Sequence, residues 1–225
     1  MVDGFGSTGC SQGTRSTIVA NPRLRRLCSV LLSNPQPLTV RDLAVELAAA
    51  IGDKPPTEVT AVERTRSRSL LVHQYLPVLE DADIVRQESD IVLVTDRTPF
   101  EGTRLSVRHL RELELPAWGW DALAALVGCP NRRRIVSLVT DRAPLSLERL
   151  AAMLPPAAFG VGRSADADGR PLQVVLHHVE LPALDDVDVV EYDPLKRLLR
   201  HSQRLSELCD RAAVVRELCA LESPE

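Results

Sequence analysis

Aromatic residues are scarce in this sequence: two Trp, two Tyr and three Phe among 225 residues, or 3%. The 44% hydrophobic fraction is therefore almost wholly aliphatic, which argues against ring-lined cofactor pockets and base-stacking platforms. Lysine is nearly missing as well, since only Lys54 and Lys196 stand beside a large excess of arginine. Net positive charge is absent, with 27 Lys+Arg against 31 Asp+Glu giving -4, so local patches must carry any affinity for nucleic acid. No apolar run approaches the roughly 18 residues that a membrane span needs, and the first residues lack the basic start and apolar stretch of a signal peptide. The expectation is a soluble, cytoplasmic protein without a membrane partner.

The five cysteines, Cys10, Cys28, Cys129, Cys209 and Cys219, are scattered and show no C-x-x-C spacing. Neither a zinc site nor a disulfide framework is indicated, and a reducing compartment is expected. His73, His177 and His178 have no cysteine or carboxylate at ligand spacing, so no metal is expected. Gly160-Val-Gly162 is an isolated turn signal rather than a phosphate loop, and neither a nucleophile elbow nor H-E-x-x-H occurs. No catalytic residue, no enzymatic activity and no cofactor are predicted.

What the sequence does have is a repeat. NPRLRRLCSVLLSNPQPLTVRDLA from Asn21 to Ala44 returns as CPNRRRIVSLVTDRAPLSLERLA from Cys129 to Ala151. HQYLPVLEDADIV from His73 to Val85 returns as HVELPALDDVDVV from His178 to Val190. The offset falls from 108 at Pro22/Pro130 to 105 at His73/His178, which places the length change in a loop between the two blocks.

Within the first copy, Pro22 suits the first helical position, and Leu24, Leu27, Val30 and Leu31 recur at helical steps until Pro35 and Pro37. Thr39 is a good N-cap for a second helix with Asp42 at its acidic third position, stopped by Gly52 and Pro55-Pro56. A polar stretch to Ser69 leads into a third helix through Leu79, and Ile84-Val85 with Ile91 to Val94 reads as a hairpin. In the second copy, Trp120 to Val127 with Arg132 to Val139 gives the first helix, Ser146 caps the second, Leu172 to Leu184 is the third, and Val189 to Tyr192 starts a stunted wing.

The fold class predicted is mainly α with small β-hairpins (α+β). It comprises a disordered tail over 1–17, one domain over 18–97, a linker over 98–117, a second domain with a degenerate wing over 118–194, and an amphipathic helix over 195–225. That last helix would place Leu198, Leu205, Leu208, Ala212, Val215 and Cys219 on one side and serve as a homodimer element.

P-x-R-R-x-x-x-x-L near the start, L-x-x-L-A in the middle and H-x-x-L-P-x-L-x-D-x-D-V-V at the end resemble the winged-helix domains of small archaeal regulators. The chain is similar to an uncharacterised domain family of halophilic archaea, distantly related to arsenic-repressor-type helix-turn-helix proteins. The resemblance implies two tandem winged helices and a transcriptional regulator that binds double-stranded DNA. It departs from those repressors in Asp83 and Asp188 before the wing and in Pro77 and Pro182 inside the third helix.

In such folds the third helix enters the major groove. The candidate DNA-binding residues are then Arg64, Arg66 and Arg68 at its entry, His73 and Gln74 on it, and Arg86 on the hairpin. A solvated loop of arginines is the alternative reading of Arg64 to Arg68. Placing Val72, Leu76 and Leu79 inward leaves Leu70, Leu71, Pro77 and Val78 outside, with Val175, Val179 and Pro182 outside in the second copy. That apolar face suits a protein partner, so an interaction adaptor is the competing reading. Arg25-Arg26 and Arg132-Arg133-Arg134 are expected either to reach phosphates or to pair with Asp81, Asp83, Asp186 and Asp188.

Overall fold

The computed structural model describes residues 13–34, 36–95, 105–161 and 170–211. It is mainly helical with small antiparallel sheets, in two compact units, Thr14–Glu114 and one built from Leu115 onward.

In the N-terminal unit, α1 (Thr14–Ala20) leads into α2 (Pro22–Ser33). The Asn21 side chain accepts from the Arg23 and Leu24 amides at 2.9 and 3.3 Å, and Pro22 contributes no amide that would need a partner. Leu24, Leu27, Cys28 and Leu31 line the buried face of α2. A short strand β1 (Leu38–Thr39) precedes α3 (Val40–Gly52), whose first turn is capped where the Asp42 amide donates to Thr39 Oγ1 at 3.1 Å. The stop differs from the expected glycine cap: Asp53, not Gly52, takes the left-handed conformation, at φ 48°.

The third helical run is continuous from Ala61 to Asp81, as α4 (Ala61–Leu70), a π-turn (Leu71–Tyr75) and α5 (Leu76–Asp81). The polar stretch before Ser69 is thus helix rather than loop, begun by a capping box between Thr60 and Glu63. The π-turn answers Pro77. A proline inside a helix lacks its donor and crowds the carbonyl four residues back, and the Leu76 amide reaches back five residues to Leu71, which widens the turn. The extra residue shifts the inward stripe, so Ser67, Leu71, Tyr75, Leu76 and Leu79 are buried. Leu71, expected on the outer side, is fully buried, and Val72, expected inward, is half-buried.

Strands β2 (Val85–Glu88) and β3 (Ile91–Val94) pair antiparallel with Val85 opposite Val94, and β1 adds to β3 to give the order β1-β3-β2. Helix α6 (Val107–Glu112) then packs on α2, with Leu105 and Leu110 buried. The expected linker 98–117 therefore supplies core to this unit, and the expected disordered tail is helical from Thr14, with Ser16 buried. Residues 1–12 and 96–104 lie outside the described ones.

The C-terminal unit repeats the element order. After α7 (Ala117–Val127) come α8 (Pro130–Arg142), β4 (Leu145–Ser146) and α9 (Leu147–Met153). A third run of α10 (Arg170–Val175), a π-turn (Leu176–Glu180) that answers Pro182, and α11 (Leu181–Asp185) precedes the strands β5 (Val190–Asp193) and β6 (Leu198–His201). The sheet order is β4-β6-β5. Buried Leu172, Leu176, Glu180, Leu181 and Leu184 follow the same spacing as their counterparts.

Three expectations fail here. The hairpin expected to be stunted is not, because β5 and β6 pair over four residues, and a boundary at 194 would cut through it. The segment from Leu195 is turn and strand until α12 (Gln203–Arg211), so the expected helix over 195–225 begins eight residues late. Leu198 fits a helical stripe by spacing alone, but strand pairing wins, with Leu145 opposite Leu199 and Ser146 opposite Leu198. Leu205 and Leu208 of α12 are buried within their own unit, and a Cβ on Gly119 would lie 3.2 Å from Leu208 Cδ1, so α12 approaches the backbone of α7. Ala212, Val215 and Cys219 lie outside the described residues. Cys129 is disulfide-bonded, which corrects the expectation of no bridge.

Candidate nucleic-acid interface

The capping box that starts α4 also sets its local charge. Thr60 donates its amide and hydroxyl to Glu63 Oε2 at 2.9 and 2.8 Å, and Lys54 Nζ lies 2.7 and 2.6 Å from the two carboxylate oxygens. The Lys54 ammonium first, and then the Thr60 donors, pull the Glu63 carboxyl down to about 2. Glu63 is thus committed to the helix start, and the next charges along α4 are Arg64, Arg66 and Arg68.

Arg66 and Arg68 are exposed and Arg64 half-buried, and none of the three makes an ion pair among the described residues. His73 and Gln74 are exposed on the π-turn of the same run. Arg66, Ser69 and His73 recur at three- and four-residue steps, so one side of the run presents a cation, a hydroxyl and an imidazole over about 10 Å. The structure therefore brings five of the six predicted residues onto one helical run. Arg86 stands apart: β2 packs beside α5, and Arg86 Nη2 is held at 2.7 Å by Glu88, with Glu80 and Asp83 beside it.

A further cation was missed. Arg41 is exposed in the first turn of α3, the helix that packs against α4 and the π-turn, and it too has no ion-pair partner among the described residues. Its signal in the sequence was plain, a lone arginine directly after the Thr39 cap. The end of α5 and the hairpin that follows have the opposite character, since Glu80, Asp81, Asp83, Glu88 and Asp90 outnumber Arg86.

Arg25, Arg132 and Arg133 of the other arginine clusters are structural, whereas Arg26 is exposed. Arg25 Nη1 donates to the Val19 carbonyl at the end of α1, and Arg133 Nη1 to the Leu126 and Val127 carbonyls at the end of α7, at 3.0 and 3.2 Å. Both place a cation where a helix leaves carbonyls unpaired. Arg132 pairs with Glu180 at 2.9 Å rather than with an aspartate, and Asp188 takes Arg204. Burial pushes the Cys28 thiol up to about 12, which leaves it inert.

At the 105-residue offset, Arg66, Arg68 and Gln74 correspond to Pro171, Gln173 and Val179, so the second copy lacks these arginines. Val174 and Val179 are its exposed apolar residues there, 56% and 43% accessible. No described helix is long and apolar enough to cross a membrane, and no group of three or more metal-ligating side chains comes together among the described residues.

A family model described as a domain of unknown function, DUF7344, matches residues 16–95 and 125–200. No curated protein and no solved structure matches the chain.

Proposed function

The chain belongs to the DUF7344 family, and on that premise we propose that it is a cytoplasmic DNA-binding regulator of transcription built from two winged helices. The N-terminal unit makes most contacts. The supporting observation is the set of arginines on α4, with Arg66 and Arg68 exposed and Arg64 half-buried, all three without ion-pair partners among the described residues and followed along the same run by exposed His73 and Gln74. Guanidinium groups so placed meet backbone phosphates, Gln74 can pair with adenine, and Arg41 at the start of α3 adds a phosphate contact. Arg86 contributes less than its position suggests, because Glu88 already holds it.

An electrophoretic shift with genomic duplex across a salt series tests this reading. Binding should weaken as salt rises, and Arg66→Ala with Arg68→Ala should flatten the log–log salt slope by about 2. An unchanged slope in the double variant would remove α4 as the contact surface. The second reading, a protein-interaction adaptor, is favoured by the acidic hairpin and by exposed Val174 and Val179. Absence of a shift at every salt concentration would transfer the proposal to it.

A further inference from the structure

We infer that the C-terminal unit carries a binding site for a small, largely apolar monocarboxylate, in the recess between its third helical run and the tip of its hairpin. The inference goes beyond the DNA reading and stands without it. The recess encloses about 290 Å³ and is lined by Leu147, Gln173, Val174, His177, His178 and Arg197. That lies at the small end of ligand sites, which run from roughly 300 to 1,000 Å³.

The two copies share one frame at this place and differ in what the frame holds. The Val40 amide donates to the Asp90 carbonyl at 2.8 Å, and the Leu147 amide to the Arg197 carbonyl at 2.9 Å, so Asp90 and Arg197 occupy the same backbone position. Around it, Val72 is replaced by His177, Gln87 by Tyr192 and Asp90 by Arg197. Three changes at separate points of the sequence converge on one recess. At the same time Arg41 and Arg68 give way to Glu148 and Gln173, so the outward cations of the first copy are gone.

His177 and Arg197, two of the polar groups that line the recess, are each held by another group behind them. The Tyr192 hydroxyl lies 2.5 Å from His177 Nδ1, and the rings of His177 and His178 meet edge to face at 4.5 Å. Burial raises the Tyr192 phenol above its ordinary value, which keeps a protonated hydroxyl against the imidazole. Arg197 Nη1 lies 3.6 Å from Glu148 Oε1, and the turn bearing Arg197 is fixed where Asp193 Oδ1 accepts the amides of Leu195 and Lys196 at 3.1 and 3.0 Å. Such second groups fix the geometry that a binding site needs.

The charge selects the ligand. One guanidinium, offset in part by Glu148 across a loose and half-exposed contact, suits one negative charge better than two. Its planar fork matches a carboxylate, with Gln173 and the imidazoles as further hydrogen-bonding groups. Leu147 and Val174 supply an apolar wall for the remainder of the molecule.

The test is an NMR titration of the full chain with benzoate and with hexanoate, using benzyl alcohol and inorganic phosphate as controls. Saturable shifts with either carboxylate, centred on Leu147, Gln173, His177 and Arg197 and absent with benzyl alcohol, are expected. Arg197→Asn, whose side chain tolerates the left-handed backbone there, should weaken binding about tenfold, and Tyr192→Phe a few-fold. Arg200→Ala, on the exposed side of β6, should leave it unchanged. Lack of saturation by both carboxylates, undiminished binding by Arg197→Asn with native amide dispersion, or tighter binding of phosphate would overturn the inference.

Discussion

Arg132 and Glu180 meet at 2.9 Å inside the C-terminal unit, with side chains 11% and 2% exposed, where the first copy has Leu24 and Tyr75. In that copy Tyr75 keeps its polar end satisfied by accepting from Arg23 Nη1 at 3.3 Å. A buried ion pair adds little net stability because desolvation offsets the attraction, yet removing one partner leaves a charge stranded. Glu180→Ala should therefore cost about 3–5 kcal/mol in chemical denaturation. The double change Arg132→Leu with Glu180→Tyr, which copies the first unit, should recover most of that loss. If the double variant were no better than the single one, the pair would be acting through something other than its charge. None of this was legible beforehand, since the offset identifies corresponding positions without saying which of them touch.

The element scale shows where reading the sequence succeeded. Pro22 and Thr39 before Asp42 mark helix starts by local chemistry alone, and both helices begin there, the first with an Asn21 cap that was not foreseen. Thr60-x-x-Glu63 carries the same kind of signal, but a run of Arg, Ser and Thr without an apolar stripe reads as loop. The stripe is missing because α4 buries only Ser67. The third run also defeats a simple helical wheel: the π-turn adds a residue and so buries adjacent Tyr75 and Leu76 together. The hairpin strand after Leu195 was lost for another reason: Leu198 falls in register with Leu205 and Leu208 of a helical stripe, whereas the structure pairs it across the hairpin with Asp193.

The Glu63 cap has a measurable consequence. Its folded carboxyl titrates near 2 instead of its ordinary 4.5, so its stabilising contribution is present above about 4.5 and fades as pH falls toward about 2. Glu63→Gln should flatten stability across that window in acid titrations followed by circular dichroism. Thr60→Ala should cost about 1 kcal/mol at neutral pH, with amide exchange rising first in α4.

For the whole molecule, the division into two units was readable from the repeat, but the boundary was not. Sequence similarity ends near Val94, whereas Leu105 and Leu110 beyond it are buried in the N-terminal unit and α6 packs on α2. The segment looks like a linker because it has no counterpart in the repeat. A fragment of residues 14–97 should accordingly be less stable than one of residues 14–114, with Leu105→Ala in the longer fragment costing about 2–5 kcal/mol. Equal denaturation midpoints for the two fragments would show that α6 contributes nothing.

Two related stretches within one gene are open to gene conversion, which overwrites one copy with the other. Were the first-helix segment of the second copy replaced in this way, leucine would stand where Arg132 does, and the carboxylate of Glu180 would face a hydrocarbon wall. Such hybrids would fold poorly and be lost. The internal Arg–Glu contact would thus oppose homogenisation of the two copies.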